Sequence, residues 1–321
     1  MKGCKDTISK SVIVHQAPIA LFDLNAICVK DSSIFIDTST FFHNPLSLEW
    51  DFGDGNMGSG DSVIHTYTTS GAFDVTLIVT DDKGCIDSIT KSVFISDLPF
   101  ANFLADSVCP GSLTSFIDYS TYSLSTISSW LWDFGDNIGL STIQNPLYTY
   151  SSAGTYDVLL EVIDMKGCKD TILKSVLVHQ EPIASSTVNN VCEGEITQFI
   201  DQSIVSASSI AAWNWGFGDP NSGAQNVSNQ QNPTHVYSSH GSYIASMDIT
   251  DLNGCLGNAN INVVVYQNPL ADFTAPDVCL NEPFLFTDNS MAYSANLSIW
   301  DWSFDGTGNS SDQNPIHSFP L

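Results

Sequence analysis

The feature that most constrains this chain is a tryptophan-centred phrase that returns at nearly fixed spacing. Trp50-Asp51-Phe52-Gly53-Asp54-Gly55 recurs as Trp132-Asp133-Phe134-Gly135-Asp136 and as Trp215-Gly216-Phe217-Gly218-Asp219. It returns in altered form as Trp302-Ser303-Phe304-Asp305-Gly306. The steps between these tryptophans are 82, 83 and 87 residues. Such a period is too long for a solenoid repeat and suits a small independent domain.

Other landmarks keep the same step. Pro18, Pro99, Pro182 and Pro269 open the units, and each is followed by a segment ending in aspartate: Asp37, Asp118, Asp201 and Asp288. His65-Thr66-Tyr67, Tyr148-Thr149-Tyr150, His235-Val236-Tyr237 and His317-Ser318-Phe319 come next, and Gly71, Gly154 and Gly241 lead into a long segment. There Phe73, Val75, Leu77 and Val79, or Tyr156, Val158, Leu160 and Val162, alternate with more polar neighbours. That period of two marks a half-buried strand. A turn with glycine at a fixed place (Gly84, Gly167, Gly254) and a final Thr/Val/Ile strand complete a hairpin. No segment carries a convincing helical period. The expectation is an all-β chain of tandem two-sheet sandwiches.

This register divides the chain. Residues 1–16 read as the terminal hairpin of a truncated unit, because Met1 to Ile8 repeats Met165 to Ile172. Three whole units are expected at 17–97, 98–181 and 182–267. A fourth, 268–321, stops before its glycine-led strand and is expected to be the first segment trimmed by limited proteolysis.

Composition narrows the partners. The 321 residues include 35 acids against nine lysines, with no arginine, for a net charge of −26. A chain with neither arginine forks nor a basic stripe is a poor ligand for nucleic acid or anionic lipid. No run of 18 apolar residues is present, so membrane insertion is not expected. Protein or glycan surfaces remain as partners, and the acid itself favours solubility.

The phrases quoted above resemble those of the PKD (polycystic kidney disease) domain: Trp-Asp-Phe-Gly-Asp-Gly, then His-x-Tyr, then Gly-x-aromatic-x-Val-x-Leu-x-Val. The resemblance runs through essentially the whole chain. It implies tandem immunoglobulin-like β-sandwiches in an extracellular or cell-surface spacer or adhesive array. Their accompanying cysteines look like those of large secreted Bacteroidetes-type proteins. An alternative is an accessory region of a secreted hydrolase or protease whose catalytic domain lies elsewhere.

The chemistry of the motif reads as structural. Trp50 and Phe52, Trp132 and Phe134, Trp215 and Phe217, and Trp302 and Phe304 stand two apart, so each pair points to one sheet face as core anchors. A catalytic role is not expected, and no cofactor is assigned. Calcium is the one metal worth weighing, with Asp51, Asp54, Asp81 and Asp82 as hard oxygen donors near a loop, although their spacing matches no diagnostic loop. Tyr148 stands where other units have histidine, which argues for packing rather than proton transfer or zinc.

Eight cysteines fall two per unit, at 4, 28, 85, 109, 168, 192, 255 and 279. Without close Cys-x-x-Cys pairs, zinc is disfavoured and disulfides are favoured. In an immunoglobulin-like sandwich the early cysteine and the hairpin cysteine lie at opposite ends, too far apart for a bond within one unit. Bonds between neighbouring units, Cys28–Cys168 and Cys109–Cys255, are the expectation. Free thiols are the alternative.

Overall fold

The computed structural model describes residues 3–25, 28–122, 126–306 and 308–319. The first repeat contains β1 (Phe22–Asn25), β2 (Ser32–Asp37), β3 (Pro45–Asp51), β4 (Met57–Ser59), β5 (Ser62–Thr66), β6 (Gly71–Asp81) and β7 (Ile86–Ile95). They form two sheets, β1-β2-β5 and β4-β3-β6-β7. Strands β6 and β7 make the long hairpin, in register from Gly71↔Ile95 to Thr80↔Ile86. The alternation does what its period dictates: Val75, Leu77 and Val79 are fully buried. They close a core with Phe22, Phe35, Trp50, Phe52 and Tyr67. Each such side chain contributes about 1.5–3 kcal/mol by leaving water.

The second repeat uses β8 (Phe103–Ala105), β9 (Leu113–Asp118), β10 (Ile127–Asp133), β11 (Leu140–Ser141), β12 (Leu147–Thr149), β13 (Gly154–Asp164) and β14 (Lys169–Val178) in the same two sheets. The third uses β15 (Ser186–Val188), β16 (Val191–Cys192), β17 (Ile196–Asp201), β18 (Ile210–Gly216), β19 (Val227–Ser228), β20 (Thr234–Val236), β21 (Gly241–Asp251) and β22 (Leu256–Tyr266). A 3-10 turn, Pro220–Asn226, takes up its longer connection after the motif. In this repeat β16 pairs in parallel with β22. The equivalent contacts in the other two are single bridges, Cys28↔Ser96 and Val108↔Val178.

The fourth copy is built only of two-residue strands: β23 (Phe273–Thr274), β24 (Phe284–Leu285), β25 (Thr287–Asp288), β26 (Trp302–Ser303), β27 (Asn309–Ser310) and β28 (Ile316–His317). Residues 3–17 differ from the sequence expectation of a hairpin, since none of them is in a strand. An isolated two-stranded ribbon is marginal in water.

Chain contacts define two compact units. One holds the residues up to Ser107 with Leu113–Thr149 and Thr155–Leu177. The other holds Val108–Ser112, Tyr150–Gly154 and the chain from Val178 onward.

Candidate functional site

The repeated motif is a core plug with a polar rim. Trp50, Trp132 and Trp215 are essentially inaccessible. Each indole donates its N–H to a loop carbonyl, of Gly60, Ile143 and Gln230 respectively, at 2.9 Å. The second aromatic stacks on the ring three landmarks on: Phe52 on His65 at 4.2 Å, Phe134 on Tyr148 at 4.0 Å and Phe217 on His235 at 4.5 Å. The motif's second aspartate ties down that ring. Asp54 Oδ2 lies 2.8 Å from His65 Nε2, Tyr148 donates to Asp136 at 2.5 Å, and Asp219 lies 3.1 Å from His235 Nε2. The tyrosine two residues later completes the lock, Tyr67 donating to Phe52 O at 3.0 Å and Tyr237 to Phe217 O at 2.8 Å.

The intervening glycine is required. Gly53 has φ +75°, and a Cβ there would lie 2.7 Å from Asp74 O. Gly218, at φ +69°, would run into Ile244 O in the same way. Both a left-handed backbone and a close strand approach exclude other residues.

The carboxylates serve the backbone. Asp51 accepts from Gly53 N at 2.9 Å. Asp54 accepts from Asn56 N at 3.0 Å. Asp81, wholly buried, accepts from Lys83 N and Cys85 N, both at 2.9 Å, and so shapes the Gly84-Cys85 turn. Asp82 accepts from Asn44 Nδ2 at 3.3 Å. These four side chains do not converge on one calcium ion. Strand β3 places Asp51 opposite Thr76 and Pro45 opposite Asp81, so six residues of strand, about 20 Å, separate the two pairs. Among the described residues no group of three or more His, Cys, Asp or Glu could hold a metal ion.

The cysteines bridge repeats. Cys28 is bonded to Cys168 with Cα atoms 5.6 Å apart, and Cys109 to Cys255 at 5.5 Å. Strand pairing shows why. Cys28 sits beside Ser96, just past the end of β7. Cys85 follows the turn before β7 begins. The ten-residue strand puts roughly 33 Å between those ends. The end that carries Cys28 also receives the second repeat: Lys166 Nζ reaches Ser96 Oγ at 3.1 Å and lies 4.9 Å over Phe94, and Tyr122 donates to Asp97 O at 3.0 Å. Cys4, Cys85, Cys192 and Cys279 are free.

A family model described as the PKD domain matches residues 15–96, 96–178 and 179–265. The chain belongs to the PKD domain family. It is 29% identical over 172 residues to the Pre-pro-metalloprotease PrtV of Vibrio cholerae, covering 51% of this chain and 18% of that protein. It is 31% identical over 84 residues to Collagenase ColA of Clostridium perfringens, covering 23% of this chain and 8% of that one. The chain therefore spans less than a fifth of the length of either relative. A solved structure of the PKD1 domain from Vibrio cholerae PrtV is 34% identical, covers 25% of this chain and 98% of itself, and gives a TM-score of 0.24.

A second set of PKD contacts was missed in the sequence. Asp118, Asp201 and Asp288 each accept an indole N–H from Trp130, Trp213 and Trp300 at 2.8, 3.0 and 2.9 Å. Each also accepts a side-chain amide, from Gln144, Gln231 and Gln313. The signal was available as Trp-x-Trp together with Gln-Asn-Pro in copies two to four, and both phrases are missing from the first. The donors Ser290, Trp300 and Gln313, the serine foremost, bring the Asp288 carboxyl down to about 2. Burial acts to raise Asp54, but the Asn56 N–H and the His65 ring overcome it and leave the carboxyl below its usual range. Burial, with Asp54 and Asp51 adding charge, pushes the Tyr67 hydroxyl up to about 12. These groups are fixed in the protonation states that hold structure, and none is tuned to exchange protons near neutrality.

Proposed function

We propose that this chain is a non-catalytic, extracellular PKD spacer within a larger secreted protein, with successive repeats cross-linked so that neighbours cannot swing freely. The observation that carries the reading is the pair of bonds made at equivalent positions, each joining the early cysteine of one repeat to the hairpin cysteine of the next. Such bonds persist in oxidising surroundings. The relatives named above, a metalloprotease and a collagenase, favour a secreted protease as the host over a free-standing adhesin. A Bacteroidetes-type source stays part of the proposal on the strength of the cysteine pattern alone.

The test is made on chain secreted through an oxidising compartment. Non-reducing peptide mapping is expected to find both cross-repeat bonds. Spin labels on the first and second repeats are expected to give one narrow distance distribution, which broadens in the Cys28→Ser/Cys168→Ser variant. Cys28 mapped to Cys85, or distances unchanged in the variant, would refute the proposal.

A further inference from the structure

The turn after the early cysteine has one backbone frame in the first and third repeats, and the two copies carry opposite charges on it. In the first, Val29 N donates to Ser96 O and Lys30 N to Tyr67 O, both at 2.9 Å. In the third, Glu193 N donates to Tyr266 O at 2.9 Å and Gly194 N to Tyr237 O at 2.8 Å. Val29 thus stands where the third repeat has Glu193, and Lys30 where it has Gly194. Counting three on from Tyr67 and Tyr237 equates Ser70 with His240, and the residues before Pro99 and Pro269 equate Leu98 with Asn268.

In the third repeat this frame holds a carboxylate. Glu193 accepts from His240 N at 2.9 Å and from Asn268 N at 3.4 Å, and lies 3.1 Å from His240 Nδ1. These contacts, the imidazole foremost, keep the Glu193 carboxyl below its usual range. Two of the three donors are backbone N–H groups, so the frame offers them whatever side chains stand there. The first repeat keeps those donors and lacks the acceptor. Neither Ser70 N–H nor Leu98 N–H meets an acceptor among the described residues. The vacated space is a cavity of about 400 Å³ lined by Val29, Lys30, Thr68, Thr69, Ser70 and Leu98, with Asp97 at its side.

Lys30 brings the charge. Of the six lysines from Pro18 on, Lys83, Lys91, Lys166, Lys169 and Lys174 each reach a carboxylate, a carbonyl or a hydroxyl. Lys30 alone among them has no side-chain partner among the described residues. It is also held at φ +66°, in a turn where the next two repeats place Gly111 and Gly194. A left-handed backbone disfavours any residue with a side chain, and residues kept in that state gather at binding sites. In a chain of net charge −26, an unpaired ammonium beside two unpaired amide N–H groups is a seat for an anionic group.

We propose that this cavity of the first repeat binds a carboxylate carried on a sugar, a uronate residue of an acidic glycan. The ligand carboxylate takes the place that Glu193 fills in the third repeat: it accepts from Ser70 N and Leu98 N and pairs with Lys30. The hydroxyls of Thr68 and Thr69 bond to no other described residue and face the ring hydroxyls. Asp97, the one acid in the lining, repels a ligand that is anionic all round, such as sulfate or phosphate, and accepts from a ligand that also carries hydroxyl donors. The volume suits one or two sugar rings.

The test is a titration of the full oxidised chain, labelled with nitrogen-15, in which the amide resonances of Ser70 and Leu98 are followed. Digalacturonate, its dimethyl ester and N-acetylglutamate amide are added in separate series. Digalacturonate is expected to move both resonances downfield with a Kd of about 1 mM, and the ester to move neither. The His240 and Asn268 amides, already paired with Glu193, should stay where they are. Lys30→Gly gives the turn the residue of the next two repeats, and it should weaken digalacturonate about tenfold. Ser70 and Leu98 unmoved up to about 10 mM digalacturonate, an equal response to acid and ester, or undiminished binding in Lys30→Gly would overturn the inference. N-acetylglutamate amide bound as tightly as digalacturonate would overturn the assignment to a sugar.

Discussion

The first and third repeats share a frame and hold it with different chemistry. In the first, Phe22 packs on Trp50, and Lys91 on the last strand lies 4.5 Å over the Phe22 ring and donates to Phe22 O. The third has Ser186 in place of that phenylalanine and Ile261 in place of that lysine, and Ile261 is buried. Ring and cation are lost together, because an ammonium that has lost its aromatic partner is costly at a half-buried site. The motif's first aspartate caps a turn in the first repeat and is Gly216 in the third, where a Cβ would meet Ser246 Oγ at 2.9 Å. The His65–Asp54 pair is partly open, with side chains 12% and 16% exposed, while His235–Asp219 is closed at 3% and 4%. Tryptophan, phenylalanine, tyrosine and the left-handed glycine are what both retain. Geometry is kept and polar detail is exchanged.

Four changes would break or sharpen that contrast. The largest effect should be shared: Trp50→Ala and Trp215→Ala each remove a fully buried ring and should cost about 3–5 kcal/mol in their own repeat. Urea unfolding followed by hydrogen exchange resolves the repeats, and a small loss in either would show that the tryptophan is not the common anchor. Gly53→Ala and Gly218→Ala should cost about 2 kcal/mol or more alike, by the same measurement, through left-handed strain plus collision with the facing strand. The third change should separate the repeats. His→Phe keeps the stacked ring but strands the carboxylate. At His235 this should cost about 2 kcal/mol, and at His65, where water can reach Asp54, under about 1 kcal/mol. A double-mutant cycle on Phe22→Ser and Lys91→Ile should give the smallest figure, a coupling of about 0.5–1 kcal/mol, with no counterpart at Ser186 and Ile261.

Acid offers a further check on the first repeat. The folded Asp54 carboxyl lies below its reference value of 3.8. Its contribution is therefore present above pH 4 or so and is lost as pH falls through the folded value. Thermal melts of the parent and Asp54→Asn should differ at pH 6 and converge in strong acid. A constant gap down to pH 2 would contradict the assignment.

Much of this was legible in the sequence, and the reason is periodicity. Alternation from Phe73 to Val79 marked the buried face of β6, and the tryptophan and phenylalanine two apart in each motif marked the core anchors, Trp50 with Phe52 and Trp215 with Phe217. Register was not legible: Asp51 and Asp81 lie near opposite ends of the β3–β6 pairing, and nothing local to either residue says so. The parallel pairing of β16 with β22 was hidden for the same reason, since Val191 and Val265 meet only through the fold. The matched loss of Phe22 and Lys91 was present as letters, but it acquires meaning only when the last strand is laid across the first.

The two disulfides interleave, with Cys109 inside the loop closed by Cys28–Cys168 and Cys255 outside it. A tether pulled from its ends therefore never loads the whole backbone between Cys28 and Cys255. The shortest route crosses from Cys28 to Cys168, runs back 59 residues to Cys109 and crosses to Cys255, in place of 227 along the chain. At full extension that is about 200 Å rather than about 800 Å. Even with every repeat between the staples unfolded, the oxidised chain extends to only about a quarter of the contour between Cys28 and Cys255, and reduction turns a short strap into a long one.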